Sequence, residues 1–299
     1  MIVAITGSTG MVGTALVNAL EAQGDLVRRL VRHEVRDSDH EIYWNPDAGQ
    51  IDAAELNGID AVVHLAGENI AGRRWTKDFK RRILESRVRG TSLLASTLAG
   101  LDMKPAVFVS ASATGYYGSR GDGVVVESSP PGAGFLADVC REWEAATAPA
   151  QAAGIRTVLM RIGPVLSPKG GALAKMLLPF RMGLGGVVGS GRQYLSWIEL
   201  DDLVSAIVYA LATDSLEGPV NAVAPGAVTN YEFTKSLGHV LGRPTIFPMP
   251  AFAARLAFGE MADEMLLGGV HVESGILESN GFQFANPQLE PALRHLLSK

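Results

Sequence analysis

Apolar residues fall along the first half of the chain in two alternating textures. Short unbroken runs at Ile2-Val3-Ala4-Ile5-Thr6, Leu26 to Val31, Ala61 to Ala66, Ala106 to Ser110 and Arg156 to Ile162 have the length and composition of buried strands. Between them, apolar residues recur at helical spacing. One such stretch is Met11 to Gln23, stopped by Gly24. A second opens at Thr76 and runs through Leu98, and a third is Phe135 to Ala153, stopped by Gly154. Ile42-Tyr43-Trp44 adds a short strand, Pro219 to Val223 a late one, and Thr229-Asn230-Tyr231-Glu232 has the spacing of a capping box. Strands apolar on both sides need cover on both faces, and alternating helices supply it. The pattern predicts an α/β fold, a Rossmann doubly wound parallel sheet over residues 1–166, completed by parts of 199–225. From residue 167 the texture changes. Glycine-rich turns at Gly170-Gly171 and Gly183 to Gly191, and prolines at Pro244, Pro248 and Pro250, mark a smaller substrate-side lobe, 167–299, interleaved with the end of the sheet and closing in a tail, 248–299.

The first strand runs into Gly7-Ser8-Thr9-Gly10-Met11-Val12-Gly13, and the first helix follows at once. In that setting each glycine has a use: Gly7 for the tight turn, Gly10 for close approach of a pyrophosphate, Gly13 for packing of helix on strand. Backbone N–H groups from Thr9 to Gly13 then face a phosphate at a helix N-terminus. The second strand ends in Val31-Arg32-His33 rather than in an acid. An acid there would bind ribose hydroxyls and repel a 2′-phosphate, whereas Arg32 can pair with one, so NADP(H) is favoured over NAD(H). Glu34 keeps the NAD reading open.

Bulk properties narrow the field. With 299 residues, 47% hydrophobic and 19% charged, the chain can bury a large core. A net charge of -5 without a basic block disfavours nucleic acid as a partner. No run has the apolar length of a membrane helix, and nothing at the N-terminus reads as a leader. The single cysteine, Cys140, rules out an internal disulfide and suits a reducing cytoplasm. The six histidines show no metal-ligand spacing, so no metal is expected.

These motifs resemble the extended short-chain dehydrogenase/reductases. The glycine loop, His64-Leu65-Ala66-Gly67 and Gly90-Thr91 carry the likeness. More specific segments resemble an atypical branch, the "epimerase family" NAD(P)-binding proteins with a short C-terminal domain of unknown function. They are Ala66-Gly67-Glu68-Asn69-Ile70 with Arg73-Arg74-Trp75, Ser86-Arg87, Trp143-Glu144, Leu178-Pro179-Phe180-Arg181 and Ser196-Trp197-Ile198. The resemblance implies that Leu65, Ala66 and Gly67 line the adenine–ribose side of the cofactor. It also implies that Arg87, standing where typical members have Asn, reaches toward the phosphates.

It implies a catalytic Ser, Tyr and Lys as well, and here the chain departs. Ser112 matches the serine. Aligned on Glu144, the tyrosine position holds Leu136 and the lysine position Cys140. The literal Tyr231-x-x-x-Lys235 lies far downstream and reads as coincidence. Tyr116, on the loop after Ser112, is the preferred substitute for the missing acid/base, with Arg120 four residues on. Two functions stay open. One is an NADP(H)-dependent oxidoreductase or epimerase acting on a small-molecule substrate, a nucleotide sugar or small carbonyl compound, with an altered acid/base set. The other is a non-catalytic NADP(H)-binding redox sensor or regulatory protein. Either is compatible with a homodimer.

Overall fold

The computed structural model describes residues 1–298. The chain divides into two compact units. The first comprises Met1–Ser112, Val139–Met160 and Val204–Val220, and the second comprises Ala113–Asp138, Arg161–Leu203 and the chain from Asn221. The division therefore crosses the chain several times rather than once.

The first unit is built on the expected sheet. Its strands are β1 (Ile2–Thr6), β2 (Leu26–Val31), β3 (Glu41–Asn45), β4 (Gln50–Ile51), β5 (Ala61–His64), β6 (Val107–Ala113), β8 (Arg156–Ile162) and β12 (Gly218–Ala222), in the order β12-β8-β6-β5-β1-β2-β3-β4. β1 pairs parallel with β2 and β5, β5 with β6, and β2 with β3. Every residue of β5 is buried, as a strand covered on both faces requires. The departure is β4, a short antiparallel edge against β3 that carries too few residues to show a period. Helix α1 (Met11–Ala22) buries Leu16, Val17 and Leu20. Helix α2 (Lys77–Ala99) starts where expected, the Thr76 hydroxyl accepting from Phe79 N–H at 3.1 Å. The helix expected over Phe135–Ala153 is two helices, α3 (Phe135–Ala145) and α4 (Ala148–Ala152). Pro149 is the cause: it has no N–H to continue the ladder, and it sits in the first turn of α4, where none is needed. Helix α6 (Leu200–Ala212) precedes β12.

The second unit holds β7 (Val124–Val125), β9 (Val165–Leu166), β10 (Tyr194–Leu195), β11 (Ile198–Glu199), β13 (Val228–Thr229) and β14 (His271–Val272), joined in three two-stranded pairs. Its helices are α5 (Gly171–Arg181), α7 (Asn230–Leu241), α8 (Ala251–Phe258), α9 (Glu260–Ala262), α10 (Gly275–Ser279) and α11 (Leu289–Leu297), with a π turn at Asp263–Leu267. Trp197 is fully buried in one core cluster with Leu177, Phe233 and Leu293. The Asp202 carboxylate accepts from Ala285 N–H at 2.8 Å and Asn286 N–H at 3.2 Å, fastening the tail. His295 of α11 bonds Glu199 of β11 at 2.6 Å. The capping box of Thr229 and Glu232 is present.

A buried polar network sits in this unit. The Tyr117 hydroxyl donates to Asn221 Oδ1 at 2.7 Å and accepts from Arg161 Nη1 at 2.9 Å. Arg161 also donates to Glu127 O at 3.0 Å, and Glu127 Oε1 accepts from Asn221 N–H and Ile276 N–H, each at 3.1 Å. Such a network is stable only while every member stays satisfied. Tyr117→Phe orphans Asn221 Oδ1 and should cost about 1–3 kcal/mol, read as a lower urea midpoint with an unchanged denaturant slope. A shift too small to resolve would contradict the network's role.

Candidate functional site

Three short stretches at the C-terminal ends of parallel strands carry most of the expected cofactor residues. The loop after β1 is set by contact. Gly7 has φ +68°, and a Cβ there would come within 2.9 Å of the Leu65–Ala66 backbone. A Cβ on Gly13 would lie 2.2 Å from Gly7 O. Both glycines are thus demanded by the fold. Gly10 is different. Its φ of -74° suits any residue, and a Cβ would meet only Gly7 O, at 3.3 Å. Gly10 is also the N-cap of α1, where Ser, Thr, Asp or Asn would bind a terminal N–H; glycine leaves α1 with no side-chain cap. Thr9 and Gly10 are exposed, and Met11 and Val12 half-buried.

The second stretch, Leu65 to Glu68, is stapled from below. Thr6 Oγ1 accepts from Leu65 N–H at 3.1 Å and Ala66 N–H at 3.2 Å, and meets His64 Nδ1 at 2.7 Å. Those two N–H groups use the hydroxyl's lone pairs, so its proton goes to His64 Nδ1, which must accept. His64 is therefore the neutral Nε2–H tautomer, donating to Thr91 Oγ1 at 3.0 Å. Burial, helped by the Arg87 charge, pushes its pKa down to about 3. The strands put Thr6 and His64 in register as a parallel pair.

Arg87 completes the staple. Its Nη1 donates to Glu68 O and Ile83 O, both at 3.1 Å, and its guanidinium lies 4.9 Å from the Trp143 ring centroid. A Cβ on Gly67 would meet Arg87 Cζ at 3.2 Å, so the side chain packs directly beneath that glycine. Burial lowers the guanidinium's pKa, opposed by nearby Cys140 and Glu68. These bonds tie one guanidinium nitrogen of Arg87 to the protein's own carbonyls. Glu68 pairs with Arg82 at 2.9 Å. In the third stretch, Arg32 follows the end of β2, exposed, its one ion pair among the described residues being with Asp47 at 3.8 Å. Such a surface pair is weak and readily exchanged.

The chemistry-bearing residues are less complete. Ser112 is buried at the end of β6, and its hydroxyl donates to Glu144 Oε1 at 2.6 Å. Tyr116 lies in the single 3-10 turn Thr114–Tyr117, half-buried. Arg161 stacks on its ring at 3.5 Å, and no hydrogen bond involves its hydroxyl among the described residues. Arg120 is turned away, bonding the carbonyls of Tyr117, Pro130 and Pro131. Leu136 is half-buried in the first turn of α3; its N–H and that of Phe135 reach the Glu264 carboxylate at 3.4 and 3.1 Å. Leu136 and Glu264 line a cavity of about 150 Å³ with Gly115, Gly118 and Ser119. Cys140 is buried. Tyr231 and Lys235 are exposed, Lys235 bonding Thr245.

Residues 3–223 match the NAD dependent epimerase/dehydratase family, and residues 249–296 match a domain of unknown function, DUF1731. The chain belongs to that epimerase/dehydratase family. Epimerase family protein Mb2239 of Mycobacterium bovis is 47% identical over 298 residues, covering 100% of this chain and 98% of that protein. The crystal structure of human epimerase family protein SDR39U1 with NADPH has a TM-score of 0.92 at 36% identity, over 100% of this chain and 99% of that one. A nucleoside-diphosphate sugar epimerase from Corynebacterium glutamicum has a TM-score of 0.82, also at 36% identity, covering 99% of this chain and 58% of that one. The family and the short C-terminal domain expected from the motifs are both present. Among the described residues no helix is long and apolar enough to cross a membrane.

The His64 tautomer has a consequence for stability. An unfolded histidine titrates near 6.5, and the folded one at about 3. Below pH 6.5 the unfolded state takes up a proton that the native state refuses, so stability falls with pH and levels off only below 3. From pH 7.5 to pH 5 this removes on the order of 2 kcal/mol. In His64→Gln, the acid-side loss measured by urea titration should shrink by that amount. An unchanged pH profile would show that His64 is not held neutral.

Proposed function

We propose that this chain binds NADP(H) along the Gly7–Gly13 loop and uses it in proton-coupled hydride transfer on a small carbonyl compound or sugar. The observation that carries the binding is Gly10. Backbone conformation does not demand a glycine there, and no side chain caps the helix, so its N–H groups stay open to an approaching pyrophosphate. Gly7, Thr9, Gly10, Met11, Val12 and Gly13 would hold the phosphates. Leu65, Ala66 and Gly67 would line the adenine–ribose side, with Arg87 bracing them from beneath. Arg32 would take the 2′-phosphate, giving up its loose contact with Asp47 for charge-assisted bonds. The NADPH in human SDR39U1 supports this choice over NAD(H).

When bound, the nicotinamide supplies or accepts hydride. The protein's own part is to move the matching proton and hold the substrate oxygen. Tyr116 Oη is the group proposed to exchange that proton, its ring held by Arg161. Ser112 Oγ, four positions earlier, gives its proton to Glu144 and keeps lone pairs to receive a substrate hydroxyl. A second reading is favoured by Leu136 and Cys140, which put two inert side chains where proton chemistry is usual in the extended dehydrogenases: an NADP(H) sensor without turnover.

Gly10→Ser should leave stability within about 0.5 kcal/mol of wild type, because it restores a cap, yet weaken NADPH at least about tenfold. Parallel loss of stability and binding, or unchanged binding, would remove the pyrophosphate assignment. Arg32→Asp should weaken NADPH roughly 10- to 100-fold more than NADH, the worth of a charge-assisted bond. Equal losses would remove Arg32 from the 2′-phosphate. With a panel of carbonyl compounds and nucleotide sugars, NADPH absorbance should fall with wild type and not with Tyr116→Phe. No consumption with any of them would favour the sensor.

A further inference from the structure

Glu199, at the end of β11, is a carboxylate that the second unit buries completely. Its Oε1 meets His295 Nδ1 at 2.6 Å. Its Oε2 is buried as well and, among the described residues, has no hydrogen-bond partner. A buried carboxylate oxygen without a donor is costly unless a positive charge compensates it.

Two further groups of the same unit converge on this one. Asp201 is exposed in the first turn of α6, and His295 is half-buried in the last turn of α11. One donor atom from each of Glu199, Asp201 and His295 lies within 4.8 Å of the other two. The spacing of histidines along the chain could not reveal the group, because His295 stands 96 residues from Glu199. The adjacent Asp202 carboxylate is already held by the N–H groups of Ala285 and Asn286.

We propose that Glu199, Asp201 and His295 form a site for one divalent transition-metal ion, zinc by the chemistry of the donors. One imidazole with two carboxylates is a nitrogen and oxygen set that zinc takes readily, whereas magnesium and calcium favour oxygen alone. A divalent ion matches the two carboxylates in charge, where a protonated His295 matches one. Around zinc, at about 2.0–2.2 Å, tetrahedral ligands stand about 3.4 Å apart. Drawing the donors together from 4.8 Å takes side-chain rotation in Asp201 and His295, both of which reach solvent. The ion supplies the positive charge that Glu199 Oε2 lacks, with a water in the fourth position. It also ties α11, in the tail, to β11 and to the first turn of α6.

The test is calorimetric titration of the metal-free full chain with Zn²⁺. Wild type should bind one ion with a Kd of ~10 µM or tighter, and ~5 mM Mg²⁺ should not displace it. Asp201→Asn should weaken zinc at least ~10-fold and His295→Gln at least ~100-fold. Because Asp201 is exposed, Asp201→Asn should keep the wild-type urea midpoint without metal, so its loss of zinc is not a loss of fold. Should His295→Gln disturb folding, Asp201→Asn carries the test. Zinc should raise the urea midpoint of wild type and leave that of His295→Gln in place. No saturable binding of Zn²⁺ below ~1 mM overturns the proposal. So does wild-type affinity retained by either folded variant, which puts the ion on other surface groups, or zinc that Mg²⁺ displaces.

Discussion

The first helix can approach the first strand only because two glycines remove side chains from their meeting point. A Cβ at Gly13 would sit 2.2 Å from the Gly7 carbonyl, and one at Gly7 would strike the backbone of the neighbouring loop. That contact aims the N-terminus of α1 across the edge of the sheet. It sets where a phosphate can lie, and therefore where everything else bound there must lie. Gly10 then marks the difference between what the fold demands and what a ligand demands, since it meets no such barrier.

The rim facing that helix is held by polar groups whose partners are all inside the protein. One threonine hydroxyl organises two backbone N–H groups and a neutral histidine; one arginine ties two carbonyls and props a glycine. Buried polar groups that are fully paired fix a unique geometry, and a binding site gains from having its loops ordered beforehand. Arg87 illustrates the trade. One nitrogen of its guanidinium is spent on keeping Leu65 to Glu68 in place, while Arg32 stays exposed with a weakly held partner.

The strands, the glycine loop and the caps at Thr76 and Thr229 were legible because each depends on neighbours in sequence: a run of apolar residues, a glycine spacing, a hydroxyl three residues before an N–H. What was not legible depends on register or on residues brought from far away. Thr6 and His64 become partners only once β1 and β5 are paired, 58 residues apart. Arg161, not the nearby Arg120, stacks on Tyr116, because Arg120 satisfies loop carbonyls instead. Glu264, from the tail domain, reaches the first turn of α3 across 129 residues of chain. The break at Pro149 was local and readable, but the apolar periodicity running through it concealed the end of α3.

Gly10 and Arg32 together make one claim: a phosphate-bearing dinucleotide lies along the α1 N-terminus with its 2′-phosphate at the end of β2. Titrating wild-type protein with NADPH and with NADH, following nicotinamide fluorescence at matched ionic strength, tests it most directly. NADPH should bind at least about tenfold tighter, with the difference shrinking as salt rises. Equal affinity for the two, or no saturable binding of either, would contradict the account.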